Sequence, residues 1–316
     1  MILKLGGEEM EMPVIIKGVI SLFLIMLAGI YCGKKGIIDG RVSKGLTSIL
    51  LDIALPCMII TSFNFSYDEA VKSNVLKTFY YSFATYIILA LVSKILTIPI
   101  KKERKIILHF ANIFTNTGYI GFPILNAIYG AEAVMYGSIF NVFFNIFLWT
   151  YGIIIFKGNL EKNELIKEIL KALRNPSLIA VYLGIALMVF DLKLPEVISA
   201  SANSIGTMTG PLSMIIVGAA CSKINIREHL TDLTLYYGIA VKLIIIPLIL
   251  YSISILIKDR SVVSNSLIIL GSMPAAAMTS IFADSFNIKR EYAAVVVVAT
   301  TLLSIFTLPV LLRIII

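Results

Sequence analysis

The chain has 316 residues, 58% hydrophobic and 15% charged, where an ordinary soluble chain carries about 25% charge; with a mean hydropathy of +0.93 this excludes a water-soluble globule. The net charge of +8 does not call for nucleic acid as a partner, because the basic residues sit in short clusters between apolar runs, where membrane topology accounts for them. The lipid bilayer is the expected solvent from end to end, since the apolar runs of about 17 to 25 residues each suffice to cross a hydrocarbon core of about 30 Å.

The segment Met1 to Pro13 carries Glu8, Glu9 and Glu11 and lacks the basic start and small-residue cleavage site of a signal peptide, so the first apolar run is read as a retained helix. Ten spans follow, at roughly 14–32, 43–63, 74–98, 106–129, 133–156, 176–191, 196–222, 231–257, 263–284 and 290–313. The sixth is short, and the fourth and ninth are interrupted. Cys32, Cys57 and Cys221 all fall inside apolar segments without disulfide or zinc spacing and read as apolar fillers.

Span one carries Gly29-x-x-x-Gly33 and span seven Gly206-x-x-x-Gly210, a spacing that lets helices approach closely. Span two places Asp52 near its centre, four residues before Pro56, whose ring removes the hydrogen bond to the Asp52 carbonyl. One residue there offers a carboxylate and a freed carbonyl to a hard cation or a proton. Lys242, near the centre of span eight, is the other central charge. Insertion of each costs about 2.5 to 3.5 kcal/mol, so a function or a partner is expected for both, either ion coupling or charge compensation, with Asp52 paired to Lys242 or to a neighbouring hydroxyl.

Span four contains Asn112-Ile-Phe-Thr-Asn116-Thr-Gly118-Tyr-Ile-Gly121-Phe-Pro123, polar and Gly-rich in mid-membrane. A break is expected at Gly118, Gly121 and Pro123, freeing main-chain groups that are tolerated only inside protein or beside a water-filled cavity. Asn112, Asn116, Tyr119, Pro123 and Asn126 share one face, as do Asn141 and Asn145 in span five. Span nine repeats the theme in Gly271-Ser272-Met273-Pro274, followed by Ala275, Ala276, Ala277, Thr279 and Ser280. Interrupted helices in matching positions point to a substrate site, here Asn112, Asn116, Thr117, Gly118, Tyr119, Asn141, Asn145, Ser272, Met273, Pro274, Ala275 and Thr279, with helix breaks at Gly118, Gly121, Pro123, Gly271 and Pro274.

Lysines and arginines divide 17 to 7 between alternate loops, so the positive-inside rule puts both termini outside a cell membrane. Five spans per half permit two inverted repeats, 1–156 and 176–316, joined by a cytoplasmic linker at 157–175. Gly29 precedes Pro56 by 27 residues and Gly184 precedes Pro211 by the same 27; Pro56 to Pro123 is 67 and Pro211 to Pro274 is 63. No nucleophile, metal, cofactor or Walker A motif appears, which argues against an enzyme and against ATP as the driving force.

The string Thr115-Asn-Thr-Gly-Tyr-Ile-Gly-Phe-Pro-Ile-Leu-Asn-Ala-Ile-Tyr-Gly130 resembles the signature of the auxin efflux carrier family, supported in order by Leu55-Pro56, Pro211 to Gly218, Lys242 to Pro247 and Met273 to Asn287. The resemblance implies an all-α membrane protein of ten helices in two inverted five-helix repeats. It further implies crossing breaks in spans four and nine with substrate beside them, and spans 3–5 and 8–10 moving elevator-like against a scaffold of 1, 2, 6 and 7, often as a homodimer. Thr115 stands where plant members have proline, and the linker is short, which favours a prokaryotic carrier. The first reading is a carrier of a small organic acid such as malonate, malate or an auxin-like acid, with H+ or Na+ as the coupling ion. A cation/proton exchanger built on Asp52 is the alternative, and a non-transporting ligand sensor another.

Overall fold

The computed structural model describes residues 2–5, 8–64, 69–158, 173–222 and 231–315, together with residues 166, 170, 224 and 229. Most of the expected linker at 157–175 lies outside these residues. A short antiparallel hairpin, Ile2–Leu5 with Glu8–Glu11, precedes the helices; the elements that follow are all helical.

Helices α1 (Met12–Lys34), α2 (Gly40–Ile49), α3 (Leu55–Ser62) and α4 (Glu69–Leu96) open the chain. The interrupted span follows as α5 (Lys102–Ile113) and α6 (Phe122–Phe147), then α7 (Ile153–Lys157). The second half comprises α8 (Pro176–Val189), α9 (Glu196–Gly206), α10 (Thr209–Cys221), α11 (Leu233–Ala240), α12 (Ile246–Leu256), α13 (Val262–Gly271), α14 (Met278–Ser285) and α15 (Arg290–Ile315). Helix starts follow side-chain caps: Asp39 accepts from Val42 N–H at 2.8 Å, Asn175 from Ser177 N–H at 2.9 Å and Asp232 from Thr234 N–H at 3.0 Å.

Among the described residues, seven helical stretches are long and apolar enough to cross a membrane, and Pro176–Val189 and Val262–Gly271 are shorter apolar helices. One of the seven, Thr117–Lys157, runs for 41 residues and is kinked inside α6 at Gly130, whose φ of 69° and ψ of −157° suit a residue without Cβ. Leu24, Tyr80, Leu91 and Phe306 are exposed on the outer surface. Such a surface belongs against lipid, not water.

Three prolines share one device. A five-residue π turn precedes each: Leu50–Ala54 before Pro56, Thr117–Gly121 before Pro123, and Val241–Ile245 before Pro247. Proline lacks the N–H for an i→i−4 bond and its ring crowds that carbonyl. The wider turn moves the neighbouring bonds to i→i−5, as in Leu55 N–H to Leu50 O, Phe122 N–H to Thr117 O and Ile246 N–H to Val241 O. Pro123 therefore sits in the first turn of α6 and interrupts nothing.

This corrects the expected position of the break in span four. The helix stops earlier, at Phe114–Asn116, where Phe114 is extended (φ −93°, ψ 103°), and Gly118 and Gly121 lie in the turn that resumes it. The reason is tertiary. Asn116 N–H donates to Pro274 O and Ala276 N–H to Phe114 O, each at 2.9 Å, so that Thr115 and Ala275 form an antiparallel β-bridge. Gly121 serves packing instead, since a Cβ there would lie 2.6 Å from the Leu270 side chain. In span nine the break falls where Gly271 and Pro274 put it, between α13 and α14.

Helix α1 lies along α10 and also meets α6, and α3 packs on α8, α9 and α6. Helix α4 packs on α5, α6 and α13, α13 on α12, and α14 and α15 on each other. Among the described residues, four ion pairs tie α4, α5, α14 and α15 and their neighbouring loops together: Lys77–Asp259, Arg104–Asp232, Lys289–Glu103 and Arg290–Asp284.

Candidate functional site

A cavity of about 280 Å³ lies against the paired breaks. Its floor is Thr115, Asn116, Thr117, Gly118 and Tyr119 from the first break and Ala276, Ala277 and Met278 from the second. Asn141 and Asn145 of α6, with Phe144, Leu148 and Trp149, form one part of the wall; Thr47 of α2, Leu51 of the π turn Leu50–Ala54 and Leu55 of α3 form another. Asn175 and Ser177, at the start of α8, and Ile281 of α14 complete the lining.

Among the described residues, none that lines the cavity is charged. The electrostatics come from the backbone, because three helical segments begin in the wall: the turn at Thr117 that continues into α6, α14 at Met278 and α8 at Pro176. Helix starts carry a partial positive charge, although in α8 the amides of Ser177, Leu178 and Ile179 already donate to Asn175, and in α14 those of Thr279 and Ser280 donate to Ala276 and Ala277. Asn116 caps the first, its Oδ1 accepting from Tyr119 N–H at 3.3 Å, and its own amide Nδ2 makes no hydrogen bond among the described residues. Thr115 Oγ1 is fully buried beside it and has no hydrogen-bond partner among the described residues. Thr117 Oγ1 donates to Asn141 Oδ1 at 3.3 Å, and Asn145 Nδ2 to Asn141 O at 2.8 Å.

Of the residues singled out from sequence, Asn116, Thr117, Gly118, Tyr119, Asn141 and Asn145 share this cavity. Asn112, Ser272, Met273, Ala275 and Thr279 are buried behind it, and Pro274 contributes its carbonyl to the pairing of the breaks. Ala275 N–H donates to Thr300 Oγ1 at 3.2 Å, anchoring the second break to α15. Sequence reading missed Leu148 and Trp149, although they continue the helical face of Asn141 and Asn145. It also missed Thr47, Leu51 and Leu55, a four-residue spacing, and the cap signature Asn175-Pro-Ser.

The two central charges part company. Lys242 is only 1% exposed, and its Nζ donates to the Asn112 carbonyl at 3.0 Å. Asp52, in the π turn before α3, is exposed. Among the described residues no ion pair joins them. Mutual compensation, one of the roles expected for them, is therefore corrected: Lys242 donates to a backbone carbonyl instead.

The model of the family described as "Membrane transport protein" matches residues 14–312. An uncharacterized transporter of Methanocaldococcus jannaschii is 25% identical over 303 residues, covering 92% of this chain and 95% of that protein. One of Methanothermobacter thermautotrophicus is 22% identical over 301 residues, with the same coverages of 92% and 95%. The lysosomal cholesterol signaling protein of Mus musculus is 26% identical over 335 residues, covering 94% of this chain and 37% of that longer protein.

Proposed function

This chain belongs to the membrane transport protein family, the family of the auxin efflux carriers, and we propose that it is a secondary transporter of a small organic anion. The observation that carries the reading is the uncharged cavity of about 280 Å³ into which three helical segments begin. A carboxylate entering it exchanges water for amide donors and the side-chain amides of Asn116, Asn141 and Asn145. Leu51, Leu55, Phe144, Leu148, Trp149 and Ile281 receive the apolar part of the acid.

In this reading the ten spans form two inverted repeats, 1–156 and 176–316, with crossing breaks. The matched glycines support it: a Cβ on Gly29 would strike Ile215 of α10, and one on Gly184 would strike Phe63 at the end of α3, so each half's first span packs on the other half's second. The group containing α4 to α7 and α11 to α15 moves elevator-like against α1 to α3 and α8 to α10, coupled to H+ or Na+, in a homodimer with both termini outside. Asn112, Ser272, Met273, Pro274, Ala275 and Thr279 hold the breaks in place behind the ligand.

The test is flux. Purified protein in proteoliposomes should take up radiolabelled mono- or dicarboxylate against an imposed pH or Na+ gradient, and Asn116→Ala should reduce it. A ligand sensor is the second reading, favoured by the similarity to a signaling protein; stabilisation by a carboxylate with no flux would select it. Cation-dependent stability without carboxylate binding would select an exchanger.

A further inference from the structure

Three of the π turns answer to prolines; a fourth, Leu148–Gly152, does not, since the next proline in the chain is Pro176. Backbone valence gives no local reason for this turn, and single π turns inside α-helices recur at functional sites. Its residues divide between two tasks. Leu148 and Trp149 line the cavity, where the Trp149 ring also meets Phe282 of α14 at 5.7 Å between centroids. Tyr151 and Gly152 pack on α5 instead. The Tyr151 hydroxyl lies 3.0 Å from His109 Nε2, with the two rings edge to face at 5.8 Å and 84°, and a Cβ on Gly152 would be 3.0 Å from the Phe110 ring and 3.3 Å from that of Phe114.

His109 is itself held. It is 8% exposed, and its Nδ1 lies 2.8 Å from Oγ of Ser93, a fully buried residue of α4. Ser93 Oγ gives its one proton to the His109 carbonyl at 3.2 Å and so accepts from Nδ1–H; in the neutral ring this leaves Nε2 as the acceptor of the Tyr151 proton. Thr97 Oγ1 donates to Ser93 O at 2.7 Å. One buried imidazole thus ties α4 and α5 to the turn that carries Trp149.

We infer that His109 is a positioning residue of the cavity: through Tyr151 it clamps the π turn Leu148–Gly152 and so fixes Trp149 and Leu148 against the apolar part of the ligand. The inference rests on the carrier reading and adds to it the device that sets one part of the wall. His109 touches no ligand. Its effect reaches the site through two residues of backbone, from Tyr151 to Trp149.

Trp149 is the only tryptophan in the chain, so the intrinsic fluorescence of the purified full-length protein reports on this wall directly. Emission maximum and acrylamide quenching are compared in the parent, Tyr151→Phe, His109→Leu and His109→Gln, and affinities for hexanoate and acetate are taken from concentration-dependent thermal stabilisation. Tyr151→Phe and His109→Leu should shift the emission and make Trp149 easier to quench. They should weaken hexanoate about tenfold, the worth of roughly two buried CH2 groups, and leave acetate as in the parent, because acetate has no chain to lay on the wall. His109→Gln, whose side-chain carbonyl still accepts from Tyr151, should stay close to the parent. A hydrogen bond that served stability alone would lower the melting temperature and move neither the emission nor the hexanoate-to-acetate ratio; that result in Tyr151→Phe, or a His109→Gln as altered as His109→Leu, would overturn the clamp and leave the carrier reading intact. A parent stabilised by neither acid would count against the carrier reading, while the fluorescence comparison would still decide the clamp.

Discussion

Lys242 donates from Nζ to the carbonyl oxygen of Asn112 at 3.0 Å, and the reason lies four residues beyond that asparagine. In an uninterrupted helix the Asn112 carbonyl would accept from Asn116 N–H. That N–H is committed to Pro274 O at 2.9 Å, so pairing of the two breaks orphans a carbonyl in the protein interior. The lysine replaces the lost donor and sets a cation at the C-terminal end of α5, where the helix dipole favours it.

Lys242→Met should therefore destabilise the protein by about 1 to 3 kcal/mol, the cost of a buried acceptor left unsatisfied. Thermal unfolding in detergent would register it. A melting temperature equal to that of the parent would mean that the Asn112 carbonyl has another donor.

Asn116 carries two functions that substitutions can separate. Asn116→Ala should lose the cap on Tyr119 N–H, about 1 kcal/mol of stability, and weaken carboxylate binding by a further 1 to 3 kcal/mol, roughly the worth of a hydrogen bond to a charged group. Asn116→Ser keeps a capping oxygen but shortens the side chain. It should recover stability and not affinity, and recovery of both would reduce Asn116 to a cap.

Asp52 is exposed at the middle of a span and makes no ion pair among the described residues. Replacing its carboxylate with an amide is thus expected to cost no structural bond. Asp52→Asn should leave the melting temperature within error of the parent and abolish the dependence of uptake on the coupling ion, because a lone carboxylate at that depth has ion binding as its remaining role. Uptake with unchanged ion dependence would remove it from coupling.

Outside the membrane spans, Asp259 is held at about 2, against an ordinary 3.8: partial burial raises it, and hydrogen bonds from Lys77 and Ser261 outweigh that. A depressed carboxyl contributes stability fully above its unfolded pKa of 3.8 and loses it as pH falls through about 2. The Lys77 pair ties α4 to the loop before α13. Unfolding temperature should fall between about pH 4 and pH 2 more steeply in the parent than in Asp259→Asn, and identical profiles would show that this pair does not anchor the loop.

Much of the architecture was legible because its causes are local. Apolar runs of membrane length, prolines that cannot donate and asparagines spaced four apart act through the nearest turn of helix, so α4, α15 and the break after Gly271 follow from them. The spacing of Asn141 and Asn145 likewise put both on one face, expected to point away from lipid, and the structure places both in the cavity wall with Asn116. Where the reading of span four slipped, by assigning its break to Gly118, Gly121 and Pro123, a local rule met a competing local solution: the π turn absorbs Pro123 within the helix.

By itself, then, the sequence determined that this chain lives in a membrane, that two of its spans are interrupted, and that Lys242 needs a partner, since hydrophobicity and backbone valence are properties of each segment alone. The tertiary structure decided where the first interruption falls, that a backbone carbonyl and not Asp52 receives the hydrogen bond of Lys242, and that Thr47, Leu55 and Ser177 line one cavity with Asn116. Those outcomes depend on hydrogen bonds and contacts between residues remote in the chain. A donor such as Asn116 N–H has equivalent acceptors in any one helix, and only the approach of Pro274 selects among them.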